Sequence, residues 1–168
     1  MNPLRPIGMI LAVALLLASP SQGAEPPATV TFAPVVAERL PAFAEDDRRT
    51  LEAAVDTAVE RATRKVALPA GVTIRVTFEE LAPSHPTRAQ LMANPALDPT
   101  LSHSLGGARL TGEVRGAGGQ VLATVSHRYY PFDLTFASAS LDAWADARVA
   151  IDQFADKLAA ACRQLQRG

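Results

Sequence analysis

The last quarter of this sequence carries an apolar stripe that only a second layer of structure can satisfy. Trp144, Ala147, Ile151, Phe154, Leu158, Ala161 and Leu165 recur every three to four residues, the period at which one face of an α-helix repeats. The stripe predicts a helix over about 140–166. Asp142 and Asp146 at its start and Arg163 and Arg167 at its end complement the helix dipole. A second stripe predicts a helix from Glu45 to Ala67, with Leu51, Val55, Ala58, Ala62 and Val66 on one face. Glu45, Asp46 and Asp47 open it, Arg61, Arg64 and Lys65 stand near its end, and Pro69 and Gly71 terminate it.

What those helices cover is written in a different period. Val72, Ile74, Val76 and Phe78 alternate with Thr73, Arg75, Thr77 and Glu79, the pattern of a strand buried on one face. Val30 and Phe32 alternate in the same way before Pro34. Ala108 to Arg115 and Gln120 to Arg128 flank Gly116-Ala117-Gly118-Gly119 and read as a hairpin. If Arg115 faces Gln120, the core side carries Ala108, Leu110, Gly112 and Val114 opposite His127, Val125, Ala123 and Val121. The small residues Ala108, Gly112 and Ala123 then let a helix approach the sheet closely. The order β-α-β-loop-β-β-α predicts an α+β fold. We expect a two-layer sandwich whose mixed or antiparallel sheet of about four strands carries two long helices on one face.

The N-terminus reads as an address. Arg5 precedes an apolar run from Ile7 to Ala18, and small and polar residues follow from Ser19 to Ala24. This is the layout of a secretory signal peptide over 1–24, leaving one domain over 25–168. The run is shorter than the roughly 18–20 residues that span a bilayer, so no membrane anchor is expected after cleavage. The single cysteine, Cys162, lies far from the cleavage region and cannot form a disulfide within the chain. Without Arg5 the chain carries 15 Lys plus Arg against 17 Asp plus Glu, a net charge of −2 with both signs interspersed. Nothing there favours nucleic acid or an anionic membrane as partner. Only Lys65 and Lys157 are lysine, and alanine is abundant. That bias is typical of GC-rich bacterial genomes and makes the periplasm the expected destination.

Several patches also carry a resemblance. Val30-Thr31-Phe32, and Leu68-Pro69-Ala70-Gly71-Val72 leading into Ile74-Arg75-Val76, are two of them. Asn94-Pro95, Ser104-Leu105-Gly106-Gly107-Ala108, Glu113, Trp144-Ala145-Asp146-Ala147 and Gln153-Phe154-Ala155 are the others. Together they resemble uncharacterised secreted proteobacterial proteins described only as domains of unknown function. The resemblance implies a small envelope domain built as an α/β sandwich, and it carries over no active-site residue.

The remaining chemistry is sparse. His85, His103 and His127 are 18 and 24 residues apart, and none has a His, Cys or acidic ligand at metal-site spacing. No metal or cofactor is expected. His127, on the inward face of a strand, should pack and reach a backbone carbonyl. Ser102-His103-Ser104 has no G-x-S-x-G elbow around it, so no catalytic residue is assigned. Glu79 and Glu80 should point to opposite faces of their strand. Asp142 with Asp146, and Asp152 with Asp156, should be solvated helix positions.

Two segments stand out as surfaces. Tyr129, Tyr130, Phe132 and Phe136 are four of the nine aromatic residues and form a candidate ligand groove, or else a core edge between sheet and helix. Residues 81–105 hold four prolines and at most a short helix over 87–93. A connection of that length in a compact domain is usually functional or disordered. Leu91, Met92, Leu97 and Leu101 are its candidate partner-binding residues, or the underside of a lid. Cys162, beside the last stripe, should be a buried thiol. The leading expectation is a non-enzymatic periplasmic module that binds another envelope protein or itself. The alternative is a small-ligand binder using 129–136, and the third is an enzyme whose site has no sequence signature.

Overall fold

The computed structural model describes residues 28–39, 45–64, 66, 68, 70–137 and 139–167. The expected signal peptide, Lys65 and Pro69 lie outside them. The alternating segment becomes β2 (Thr73–Ala82), with Ile74, Val76 and Phe78 buried and Thr73 and Arg75 exposed. Beside it β1 (Thr29–Phe32) runs parallel, from Thr29↔Arg75 to Phe32↔Phe78. On its other side β3 (Gly107–Arg115) runs antiparallel, and β4 (Val121–Tyr129) follows antiparallel to β3. The sheet is mixed, in the order β1-β2-β3-β4, and the fold is α+β.

One helical turn, α1 (Pro34–Ala37), follows β1, and the first long helix is α2 (Glu45–Thr63). A short α3 (Arg88–Ala93) interrupts the long connection, and α4 (Ala145–Leu165) closes the chain. Both long helices are shorter than their sequence patterns. At α4 the reason is visible. Asp142 accepts the Trp144 N–H at 3.0 Å and the Arg148 Nε–H at 2.7 Å, making a turn that leads into the helix and does not belong to it.

Buried side chains of α2, α4 and the inner face of the sheet form one apolar cluster. Within α4, Ala147, Ile151, Phe154 and Leu158 are buried as the stripe predicts, but so are Ala150, Ala155, Ala159 and Cys162, whereas Leu165 is 40% exposed. The arc is wider because α4 packs against α2 on one side and against β3 and β4 on another. Gly112 allows the close approach. A Cβ at that position would stand 2.5 Å from Phe154 Cζ, inside any real contact distance, so only a residue without a side chain fits there.

The hairpin register differs from the expected one by two residues. Ala108 faces Tyr129, Leu110 faces His127, Gly112 faces Val125, and Arg115 meets Val121 in place of Gln120. Gln120 belongs to the turn, where its carbonyl accepts the Gly116 N–H at 3.0 Å, and an irregularity between Val114 and Arg115 takes up the odd residue. A shift of two preserves the faces, so the core side is still Ala108, Leu110, Gly112 and Val114. A second bulge falls between Phe78 and Glu80. It overturns the expectation for the adjacent glutamates: Glu79 and Glu80 line the same shallow depression, with Arg39, Arg128 and Tyr130.

Candidate functional site

The chain after β2 is held by a polar anchor. Ser84, 2% exposed, donates its hydroxyl hydrogen to Asp146 Oδ2 at 2.7 Å and accepts the Asp146 N–H at 3.3 Å. The Ser84 N–H reaches the Ala143 carbonyl at 2.7 Å. Asp146, expected as a solvated helix position, is instead completely buried. The first turn of α4 supplies it to the loop, and a carboxyl group so enclosed is tolerable because hydrogen bonds satisfy it.

A second segment lies along the first. The Ser104 N–H donates to the Ser84 carbonyl at 3.0 Å and the Ser104 hydroxyl to the Pro83 carbonyl. Gly106 makes this possible, because a Cβ there would fall 2.6 Å from the Ser84 backbone nitrogen. Thr87 caps α3 reciprocally with Gln90, fixing where the chain leaves the contact.

This pairing of segments brings together two of the three histidines. The rings of His85 and His103 meet edge to face, with centroids 4.6 Å apart and planes at 65°. His85 is only 4% exposed, and its Nδ1 is buried without a hydrogen-bond partner among the described residues. An orphaned buried polar atom of this kind costs a fold about 1–3 kcal/mol. Depressions of about 320 and 210 Å³ flank the ring pair. Ser84, Ser104, Leu134 and Thr135 line the larger, and Gln90, Leu97 and Ser102 the smaller. A broader depression of about 660 Å³ opens beside them, between residues 103–105 and 132–135, with the Asp133 carboxylate among its apolar side chains.

His127 stands apart from that pair. It lies on β4, half-buried, between Lys157 Nζ at 2.9 Å from Nδ1 and Gln153 Oε1 at 3.0 Å from Nε2. An ammonium can only donate, so Nδ1 accepts from Lys157 and Nε2–H donates to Gln153. The expected backbone carbonyl is replaced by two side chains of α4. Burial, and then the neighbouring Lys157 charge, hold the imidazole below its ordinary pKa, with the Gln153 bond opposing.

The four aromatics differ in their surroundings. Tyr129 packs on the core and Tyr130 lies under Arg128, whose guanidinium carbon is 4.4 Å from the ring centre. Phe132 and Phe136 are exposed, at 87% and 65%. In the long connection Leu91 and Leu97 are half-buried while Met92 and Leu101 point to solvent, so none of the four is a core residue. Ser102 accepts the Asp98 N–H, and neither Ser102 nor Ser104 bonds to a histidine among the described hydrogen bonds.

Sequence spacing has no means of signalling the Ser84–Asp146 and His85–His103 contacts, whose partners are 62 and 18 residues apart. The only hint is the presence of two histidines in one proline-rich connection. No family model matches this chain, and no curated protein and no solved structure shows significant similarity to it.

Proposed function

We propose that this chain is a non-enzymatic protein-interaction module of the bacterial envelope, acting in the periplasm. Its binding surface is the broad depression between residues 103–105 and 132–135, and the occupant is an apolar segment of another envelope protein. The observation that carries this reading is the exposure of large apolar side chains around one opening. Phe132 is 87% exposed, Leu134 56% and Leu105 43%, and all three line the same depression. Clustered exposure of this kind marks an interaction site far more often than a bare surface does. The depression is broad and open, which suits a chain segment better than an enclosed small molecule. His103 and Ser104 add hydrogen-bonding groups among the apolar ones, the mixture that gives a docked segment its register.

A photo-crosslinking residue at position 132, with one at Thr124 on the outer face of the sheet as control, tests the proposal in the native envelope. Position 132 should trap a defined protein that position 124 does not. The double variant Phe132→Ser, Leu134→Ser should keep its melting temperature and lose that partner. Identical patterns from both positions would refute the assignment. A small molecule retained in native mass spectrometry, and lost in the same variant, would favour the ligand-binding alternative.

A further inference from the structure

We propose that His85 and His103 form a two-histidine site for a divalent transition-metal ion, with Zn²⁺ as the representative case. Three independent observations converge on it. The first is the buried Nδ1 of His85, which has no hydrogen-bond partner among the described residues, whereas nearly every buried polar atom has one. The second is the geometry of the pair. With Zn–N bonds of about 2.0–2.1 Å and roughly 1.1 Å from nitrogen to ring centre, two imidazoles on one ion have centres about 4.5–5.2 Å apart for N–Zn–N angles of about 90–109°. The measured separation is 4.6 Å. The ring planes, at 65°, place no restriction on this, since each ring is free to turn about its metal–nitrogen bond.

The third observation is the lining. The two depressions beside the ring pair carry hydroxyls from Ser102, Ser104 and Thr135, and among the described residues no lysine or arginine lines either one. An incoming cation therefore meets no like charge in the lining. Imidazole nitrogens suit Zn²⁺, Cu²⁺ and Ni²⁺, whereas Ca²⁺ and Mg²⁺ require oxygen ligands in larger number. Among the described residues no third His, Cys, Asp or Glu completes a cluster. Two protein ligands leave the ion's other positions to water or to a group brought by a bound molecule. The site shares His103 with the interaction surface proposed above, but its test reads metal binding alone, whereas loss of the crosslinked partner in the Phe132→Ser, Leu134→Ser variant tests the surface.

The test is calorimetric titration of the full chain, carrying no histidine tag, with Zn²⁺ alone. One ion should bind per chain. His103→Ala, a change at an exposed side chain, should keep the melting temperature of the parent protein and weaken binding by at least about tenfold. His127→Ala should bind as the parent does. With Cu²⁺ as probe, electron paramagnetic resonance should show two coordinated nitrogens in the parent and one in His103→Ala. Absence of saturable binding below millimolar Zn²⁺, equal affinity in His103→Ala, or loss of binding in His127→Ala would each overturn the assignment. His85 is buried and its replacement can unfold the chain, so the decision rests on the His103 variant.

Discussion

The Trp144 indole donates its Nε1–H to Asp47 Oδ1 at 2.9 Å, fastening the start of α4 to the start of α2 across 97 residues of sequence. The ring itself is 2% exposed. Trp144→Ala removes both packing and bond and should destabilise the fold by about 3–5 kcal/mol. Trp144→Phe keeps most of the buried area and should cost far less, about 1–2 kcal/mol. Urea denaturation of the two variants separates packing from hydrogen bonding.

Gly112 faces Phe154 with no room for a side chain. Gly112→Ala should therefore destabilise by about 1–3 kcal/mol, although alanine is the better residue by intrinsic strand propensity. Shortening the opposing ring in Phe154→Leu should recover part of that loss in the double variant. A thermodynamic cycle showing no coupling would mean that the two residues do not meet.

Ser84→Ala takes a hydroxyl from a fully buried carboxyl group. The expected cost is about 1–3 kcal/mol, and the loop should loosen with it. The nuclear Overhauser contacts between the His85 and His103 rings should weaken in this variant while those of the hairpin persist. Unchanged ring contacts would show that the histidines are held together by something other than the Ser84–Asp146 anchor.

The depressed pKa of His127 gives stability a pH dependence whose sign can be worked out. In the unfolded chain the ring titrates near 6.5, and in the folded chain below that value. Above 6.5 both states are neutral and the contribution is complete. As pH falls through 6.5 the unfolded state takes up its proton first, so stability drops until the folded ring is protonated as well. Denaturation midpoints measured between pH 7.5 and about 5 should fall more steeply in the parent protein than in His127→Gln. Equal slopes would remove His127 from the account.

Cys162 is fully buried, and burial pushes its thiol pKa up. Labelling by a disulfide reagent should be negligible in the native state and follow the rate at which α4 opens. A rate that rises with denaturant supports this. Immediate stoichiometric labelling in buffer would contradict the packing of α4.

Much of the fold was legible because periodicity reports burial. Val76 and Phe78 are buried as their alternation implies, Val55 and Phe154 as theirs does, and Gly112 was recognisable as room for a helix. Register was less accessible. Whether Gln120 belongs to strand or turn is decided by one carbonyl accepting the Gly116 N–H, and composition does not encode that choice. Asp146 shows the opposite failure. An aspartate in the first turn of a helix normally faces water, and its burial follows only from Ser84 arriving out of a distant loop. The candidate site was illegible for the same reason. His85 and His103 come from two ends of one connection, and their meeting depends on Gly106 lying against Ser84.

The strand order has a consequence for how the chain reaches this state. The β3–β4 hairpin closes over a five-residue turn, and α4, which packs on it, follows in the same stretch of sequence, whereas β1 must find β2 across about 46 residues. Loop-closure entropy favours the C-terminal half as the nucleus. Synthesis runs the other way, delivering β1, α2 and β2 first. From the moment β2 emerges until β3 follows about 25 residues later, the apolar row Ile74, Val76 and Phe78 has no antiparallel partner. That interval is when a holding chaperone has most to protect, and a chain cut short before Gly107 would keep the same row open as a template for aggregation.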